Sequence, residues 1–528
     1  MTEPFYITTP IYYVNDRPHL GHVYTTVVAD VVARFHRLAG EPTFFLTGVD
    51  EHAAKVADKA AEHGLSPQQW ADQNAEAFRE TFDKLELTYD DFVRTSSDRH
   101  KQKVTQYVAA LIAGGDVYPG QYEGWYDPGE EEYVPENRAK DTDYKSPVSG
   151  RPLVRKQETN YFFKLSAYRD ALLAHFESHP GFVQPAARRN EIVNRIKEAE
   201  DVPISRTGSG GWGIPVPGDD EQSIYVWIDA LFNYLTYVDD DKRRRFWDSG
   251  ATHVIAKDIL WFHAAIWPAL LLALKKTDGH EWVGLPERVY CHSYWVSDRG
   301  EKMSKSLGNF LDPAAIDNYV SEFGLDALRW FLATRGPLGT TDSTFSPDLF
   351  IEVYNSDLAN TFGNSVSRVT NMIGKYCGGM NRGPATNGLN LFQPFSEAEL
   401  GIYMEAMKRL ELEIASSRAL RLVRHVDEYI EQTRPFTLAK DSANAERVAG
   451  ILGDCLEALR VASLLLWPFV PDACEAFWGR IGCGLYAEAL ADRGCGDLHQ
   501  WARWEQLGQG KPVQKGPALF PRYDAAKA

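Results

Sequence analysis

The sequence predicts an α/β protein: a parallel sheet interrupted by an inserted domain and followed by a wholly helical domain. Three observations carry that reading. Strand, helix and strand patterns alternate at the start of the chain. A stretch rich in Gly, Pro and charge then breaks the alternation before it resumes. No convincing strand pattern appears beyond about residue 346.

Residues 5–8 read as a short buried strand. From Leu20 apolar residues recur at Val23, Val27, Val31, Phe35 and Leu38, a helical spacing closed by Gly40. Residues 43–47 read as a second strand, giving a parallel unit whose ligands are expected beyond the carboxyl ends of its strands. Residues 118–226 read as an insertion rather than another sheet repeat. Strand patterns return at 253–256 and 288–292, with an apolar helix over 259–275 between them and Pro268 inside it. Segments 350–376, 400–432 and 444–466 have helical periodicity. The half-sheets are therefore assigned to residues 1–117 and 227–345, the insertion to 118–226, and the helical domain with a C-terminal tail to 346–528.

A chain of 528 residues exceeds the usual size of one core, so two or three domains are expected. Apolar residues make up 44% and charged ones 24%, an ordinary globular composition, and no stretch approaches the ~18 uncharged apolar residues of a membrane span. The N-terminus shows no basic leader followed by an apolar run, so a cytoplasmic protein with no membrane partner is expected. The six cysteines include no CxxC pair and read as free thiols. A net charge of -17 argues against a nonspecific nucleic-acid coat, although local basic surface decides phosphate binding.

Two motifs carry chemistry. His19-Leu20-Gly21-His22 falls where the first strand hands over to the first helix, placing two imidazoles and a side-chain-free Gly beside unpaired amides, as a polyanion site needs. Lys302-Met303-Ser304-Lys305-Ser306, followed by Leu307-Gly308-Asn309, sets two lysines three apart on a loop after the last strand, and mobile ammonium groups suit a transferring phosphate. Chance gives this pentapeptide in about one chain in ten thousand and the first motif in about one in thirty, so the ordered pair is a specific signal. Asp50 is either a charge placed at a strand end or the N-cap of a helix from Glu51. The aromatic residues of 225–234 and 257–263 read as core or as pocket lining.

The two motifs resemble the HIGH and KMSKS signatures of the class I aminoacyl-tRNA synthetases, which flank a split Rossmann-type sheet and grip ATP. Four further segments resemble the methionyl members: Pro10-Ile11-Tyr12-Tyr13-Val14-Asn15, Gly48-Val49-Asp50-Glu51-His52, residues 225–234, and Lys257-Asp258-Ile259-Leu260-Trp261-Phe262-His263. The likeness covers nearly the whole chain, including Asn160-Tyr161-Phe162-Phe163 and Ala518-Leu519-Phe520-Pro521-Arg522, the latter similar to a tail that folds back on the catalytic half.

The resemblance implies a Rossmann catalytic domain split by a connective insertion, followed by an all-α anticodon-binding domain. It implies a ligase that activates L-methionine with ATP and Mg2+ to methionyl-adenylate and transfers it to tRNA(Met), initiator tRNA included. His19, Gly21, His22, Lys302 and Lys305 are the implied catalytic residues. Asp258 at the ribose, Met303, Ser304 and Ser306 join His19, His22 and the two lysines in binding ATP. Ile11, Tyr13, Trp227, Ala230, Tyr234, Phe262 and His263 would surround the methionine side chain, where aromatic rings suit a polarizable thioether, and Asp50 would hold its ammonium group. Anticodon reading falls to Asn364 and Arg368, one helical turn apart, and to Phe436, which stands where the family commonly has Trp.

The chain also departs from the family. Methionyl enzymes often hold zinc on cysteine pairs in the insertion, but residues 118–226 contain no Cys, and His175 and His179 fit a solvent-facing helix better than a metal site. No structural zinc is expected, and packing of Trp125, Tyr126, Tyr133, Tyr161 and Phe162 takes its place. The extra C-terminal tRNA-binding and dimerising module of some relatives is not seen, so a monomer is expected. A rival cysteinyl synthetase would bring Cys and His zinc ligands; leucyl, isoleucyl and valyl relatives would carry a larger editing insertion. A catalytically idle tRNA-binding homologue is the rival of another class, and intact signatures argue against it.

Overall fold

The computed structural model describes residues 3–129, 132–207, 211–297, 313–383, 392–504 and 506–524. Lys302, Met303, Ser304, Lys305 and Ser306 lie outside the described residues.

Strands β1 (Phe5–Tyr13), β2 (Thr43–Asp50), β3 (Asp91–Arg94), β4 (Val183–Gln184), β5 (Ala251–Ala256) and β6 (Arg288–His292) form one sheet in the order β3-β2-β1-β5-β6-β4. Every neighbouring pair is parallel. Strand order runs one way from β1 and the other way from β5, which leaves a crevice beyond their carboxyl ends. Edge strand β4 comes from within residues 118–226 and was missed because two residues carry no periodicity.

Helix α1 (Leu20–Leu38) follows β1, and Val23, Val27, Val31, Phe35 and Leu38 are all buried. It is buried nearly all round, polar positions included, because it lies between the sheet and helix Leu325–Arg335. Asp30 Oδ2 accepts from Arg34 Nε at 2.8 Å and from Arg329 Nη2 at 2.6 Å, so buried charges are paired across that contact.

β1 outruns the predicted strand. Its pairing with β2 shifts register between Thr8 and Ile11, where Pro10 has no N–H to donate, and then resumes to Tyr13. The predicted helix 259–275 is instead a turn at Lys257–Ile259, a wide π-type turn at Phe262–Ile266 and a helix at Trp267–Leu274. Pro268 cannot donate to the carbonyl four residues back, and the wide turn absorbs the missing bond. Segment 400–432 is a hairpin, Phe392–Lys408 and Leu412–Thr433, broken at Leu410 with φ 58. Leu410 and Leu412 are both buried, so the apolar pattern ran through the turn. Segment 350–376 likewise divides, with wide turns at Tyr354–Gly363 before helix Asn364–Tyr376. Helix Ala445–Leu466 matches its prediction.

In the insertion, Val117–Asp127 and Val154–Phe163 pair antiparallel, flanked by Glu132–Val134 and Val202–Pro203. Val134, Ala139 and Leu153 form a small core there, covered by Trp125 and Tyr144. The tail docks at the joint between sheet and helical domain: Tyr354 Oη donates to the Pro521 carbonyl at 2.6 Å, and the Tyr523 ring lies 4.8 Å from that of Phe323. Among the described residues no helix is long and apolar enough to cross a membrane.

Candidate active site

The crevice between β1 and β5 holds a cavity of about 500 Å3. At the end of β1 the bulge at Pro10 brings Ile11 and Tyr13 to its wall. Tyr12 between them is buried; its hydroxyl shares a 2.9 Å hydrogen bond with Thr26 Oγ1, tying the strand end to α1. Tyr13 stands opposite Asp50 in the β1–β2 register, and Val14 N donates to the Asp50 carbonyl at 3.3 Å. Asp50 thus closes β2 as a buried carboxylate on the cavity wall. Two residues earlier, a Cβ on Gly48 would lie 2.4 Å from the Val93 backbone, so only Gly lets β2 approach β3 there.

Three rings box the space beside Asp50. Trp227 stacks on Phe262 with centroids 4.3 Å apart and planes at 12°, and Tyr13 meets Trp227 edge-on at 5.8 Å. Ala230, on the same helix Val226–Leu231 as Trp227, lines the cavity with a methyl group and leaves room. His263 Nδ1 donates to the Ile259 carbonyl at 3.0 Å, so its Nε2 accepts from the Tyr234 hydroxyl at 2.8 Å. Burial pushes His263 down to about 4, which keeps the ring neutral at neutral pH. The wide turn before Pro268 is what presents the consecutive residues Phe262 and His263 to one cavity.

The other lining is the N-terminus of α1. His19 is its N-cap: His19 Nδ1 accepts from Gly21 N at 3.0 Å, His22 Nδ1 accepts from His19 N at 3.2 Å, and the rings stack at 3.7 Å. A neutral imidazole whose Nδ1 accepts carries its proton on Nε2, so both rings offer N–H donors. Burial and the neighbouring His19 hold His22 well below the usual imidazole range. A Cβ on Gly21 would lie 2.9 Å from His19 Cε1, so Gly makes the ring pair possible. Donor rings at the positive end of a 19-residue helix are an arrangement suited to an anion. Asp258, exposed after β5, hydrogen-bonds Tyr294, while Lys257 Nζ pairs with Asp342 at 2.7 Å and lies 4.5 Å over the Tyr294 ring.

The structure therefore brings Ile11, Tyr13, Asp50, Trp227, Ala230, Tyr234, Phe262 and His263 to the same cavity as His19, Gly21, His22 and Asp258. Sequence reasoning missed His292, Ser293 and Tyr294, although the carboxyl-end rule applied to β6 points to them. His292 Nδ1 donates to the Ser293 carbonyl at 2.7 Å, its Nε2 lies 2.8 Å from Thr25 Oγ1, and burial pushes it down to about 4. Val148, from the insertion, also lines the cavity, and nothing in the sequence marks it.

Asn364, Arg368 and Phe436 do not line this cavity. Asn364 is exposed, Arg368 Nη2 lies 2.5 Å from Glu431 and Nη1 3.5 Å from Asp427, and Phe436 is 38% exposed. Phe436 lies two residues after Arg434, which is left-handed at φ 45. Among the described residues no group of three or more His, Cys, Asp or Glu is arranged to hold a metal ion. The His175 and His179 rings stack on each other at 4.3 Å, and the buried edge of His175 packs against Phe182.

The model of the family described as tRNA synthetases class I (M) matches residues 5–142 and 139–370. The chain is 38% identical to the methionine–tRNA ligase of Halalkalibacterium halodurans, over 99% of this chain and 79% of that one. It is 39% identical to the methionine–tRNA ligase of Streptomyces coelicolor, over 100% of this chain and 98% of that one. Its fold is similar to that of Mycobacterium tuberculosis methionyl-tRNA synthetase in complex with methionyl-adenylate: TM-score 0.88, 32% identity, 99% of this chain and 100% of that chain covered. The apo form of the same enzyme gives a TM-score of 0.83 at 28% identity.

Proposed function

The chain belongs to the methionine–tRNA ligases of the class I tRNA synthetase family, and on that premise we propose how its cavity divides the work. The reaction activates L-methionine with ATP to methionyl-adenylate and then charges tRNA. In our reading the Asp50 carboxylate holds the methionine ammonium, and Ile11, Tyr13, Trp227, Ala230 and Phe262 enclose the thioether. The Tyr234–His263 pair closes that pocket with its polar atoms already bonded to each other. Asp258 binds the ribose of ATP, and the α1 terminus with His19 and His22 takes the phosphates.

A methionine carboxylate oxygen attacks the α-phosphorus in line, and the bond to pyrophosphate breaks. Nε2–H donors of His19 and His22, with Lys302 and Lys305, meet the charge spread over the phosphate oxygens. Mg2+ enters with the nucleotide as part of the substrate. The terminal ribose hydroxyl of tRNA(Met), initiator or elongator, then attacks the adenylate carbonyl and AMP leaves. Asn364, Arg368 and Phe436 read the anticodon, the exposed Phe ring as a stacking surface. The protein works as a cytoplasmic monomer without structural zinc, and elemental analysis is expected to find less than one zinc per chain.

The observation that carries the reading is a single cavity in which a buried carboxylate and a ring box stand beside a helix terminus capped by two imidazoles. ATP–pyrophosphate exchange with each of the standard amino acids tests it. Exchange should depend on methionine and ATP; exchange driven by another amino acid would overturn the pocket assignment.

A further inference from the structure

We propose that a buried chain of His52, Asp229 and His100 is a positioning device that fixes the Asp50 carboxylate relative to the Trp227 and Ala230 wall, and so governs methionine affinity. The inference rests on the methionine-pocket reading above. Asp229 lies between Trp227 and Ala230 on helix Val226–Leu231, but its own side chain is buried and does not line the cavity. One of its oxygens is 2.6 Å from His52 Nδ1, two residues beyond Asp50. The other is 2.7 Å from His100 Nε2 on helix Asp98–Ala113. His100 Nδ1 in turn lies 2.9 Å from Thr236 Oγ1. A single carboxylate thus ties the chain after β2 and a second helix, Asp98–Ala113, to the wall of the pocket.

The backbone between Asp50 and His52 is held from other sides as well. Glu51 N donates to Thr95 Oγ1 at 2.9 Å, and the Glu51 carboxylate takes Arg94 Nε at 2.5 Å and Ser96 N at 3.0 Å. The Glu51 carbonyl accepts from Trp212 Nε1 at 2.6 Å, and the Trp212 ring meets His52 edge-on at 5.3 Å. His52 N itself points to Asp50 Oδ1 at 3.4 Å. Burial alone would raise the Asp229 carboxyl, but the two histidines hold it at about 2, so a full charge is kept inside the protein. Apolar packing would join these elements at no such desolvation cost; a directional, charged junction fixes geometry. An ångström of drift between ammonium and side-chain subsites misplaces the reacting carboxylate.

The test is steady-state exchange with His52→Ala, His52→Asn, His100→Gln and Asp50→Asn, each with KM read separately for methionine and ATP. The Asn amide nitrogen replaces Nδ1 of His52 and the Gln amide nitrogen replaces Nε2 of His100. His52→Ala should raise KM for methionine about tenfold with KM for ATP within about twofold, and His52→Asn and His100→Gln should stay near the parent value. A methionine KM within about twofold of the parent in His52→Ala, while Asp50→Asn raises it, overturns the positioning role alone. An unchanged KM in Asp50→Asn overturns the pocket reading and this inference with it. Should His52→Ala not fold, Trp212→Phe removes the N–H to the Glu51 carbonyl and trims the ring that meets His52: a few-fold rise in methionine KM alone supports the device, and no change overturns it.

Discussion

The proposed methionine end and the proposed phosphate end of the cavity are held in opposite ways. Around the methionine side chain, apart from the Asp50 carboxylate that faces the ammonium, the polar atoms satisfy one another inside the protein: Tyr234 donates to His263, and His263 to the Ile259 carbonyl. At the phosphate end His19 and His22 cap their own helix through Nδ1, and the proton of each ring is carried on Nε2. A pocket that selects a neutral thioether gains from groups whose hydrogen bonds are already made, because nothing polar is stranded when the ligand enters. A site that meets growing phosphate charge gains from donors aimed at the substrate.

The largest expected effect lies at the phosphate end. His22→Ala should slow adenylate formation about 100- to 1,000-fold in single-turnover experiments, with methionine KM within about twofold, since one preorganised donor is worth ~3 to 4 kcal/mol. Lys305→Ala should act in the same direction. Parallel losses in rate and methionine binding would erase the contrast between the ends.

Far from both ends, Phe436→Ala and Arg368→Ala should each lower tRNA charging about 10-fold, with tRNA-free exchange reduced less than about twofold, because base stacking is worth ~1 to 3 kcal/mol. Arg368 is already paired with Glu431 and Asp427, so Glu431→Gln should change charging in the same assay by freeing the guanidinium for RNA. If charging and exchange fall together with thermal stability, these residues only hold the helical domain.

Tyr234→Phe should cost about 10-fold in kcat/KM for methionine, the ~1 to 1.5 kcal/mol of a buried hydrogen bond whose acceptor stays behind, and leave KM for ATP alone. An equal effect on both substrates would contradict a self-contained methionine end.

The smallest expected effect on methionine KM is that of pH. Burial lowers folded His263 and His292 to about 4 from an unfolded value of 6.5. Folding therefore favours the neutral rings: their contribution is complete above pH 6.5 and declines as pH falls from 6.5 to about 4, by at most ~3 kcal/mol per ring. Methionine KM should stay flat from pH 6 to 8 while thermal stability drops below pH 6.5. A histidine-like inflection in methionine KM near pH 6.5 would place a titrating ring in the pocket.

Much of this architecture was legible because its signals are local. The stripe of α1 repeats along one continuous helix, the His19–His22 terminus sits within a single turn, and the half-sheets announced themselves by strand and helix periods. The π-type turn at Phe262–Ile266 was not legible, since Pro268 signals a break without its form. The turn at Leu410 was hidden by its own apolarity. Asp229 reads as a stray charge in an apolar segment, because its partners His100 and His52 lie 129 and 177 residues away. The ring box was recognisable from family resemblance, whereas its geometry depends on the register shift at Pro10 and that π-type turn.

The central claim, that the two ends divide selection from rate, is tested most directly by rapid-quench measurement of methionyl-adenylate formation against methionine concentration in His22→Ala and Tyr234→Phe. The account predicts a crossed result: His22→Ala lowers the saturating rate with little change in the half-saturating methionine concentration, and Tyr234→Phe raises that concentration with little change in the rate. If each variant moves both quantities to the same extent, the cavity acts as one undivided site.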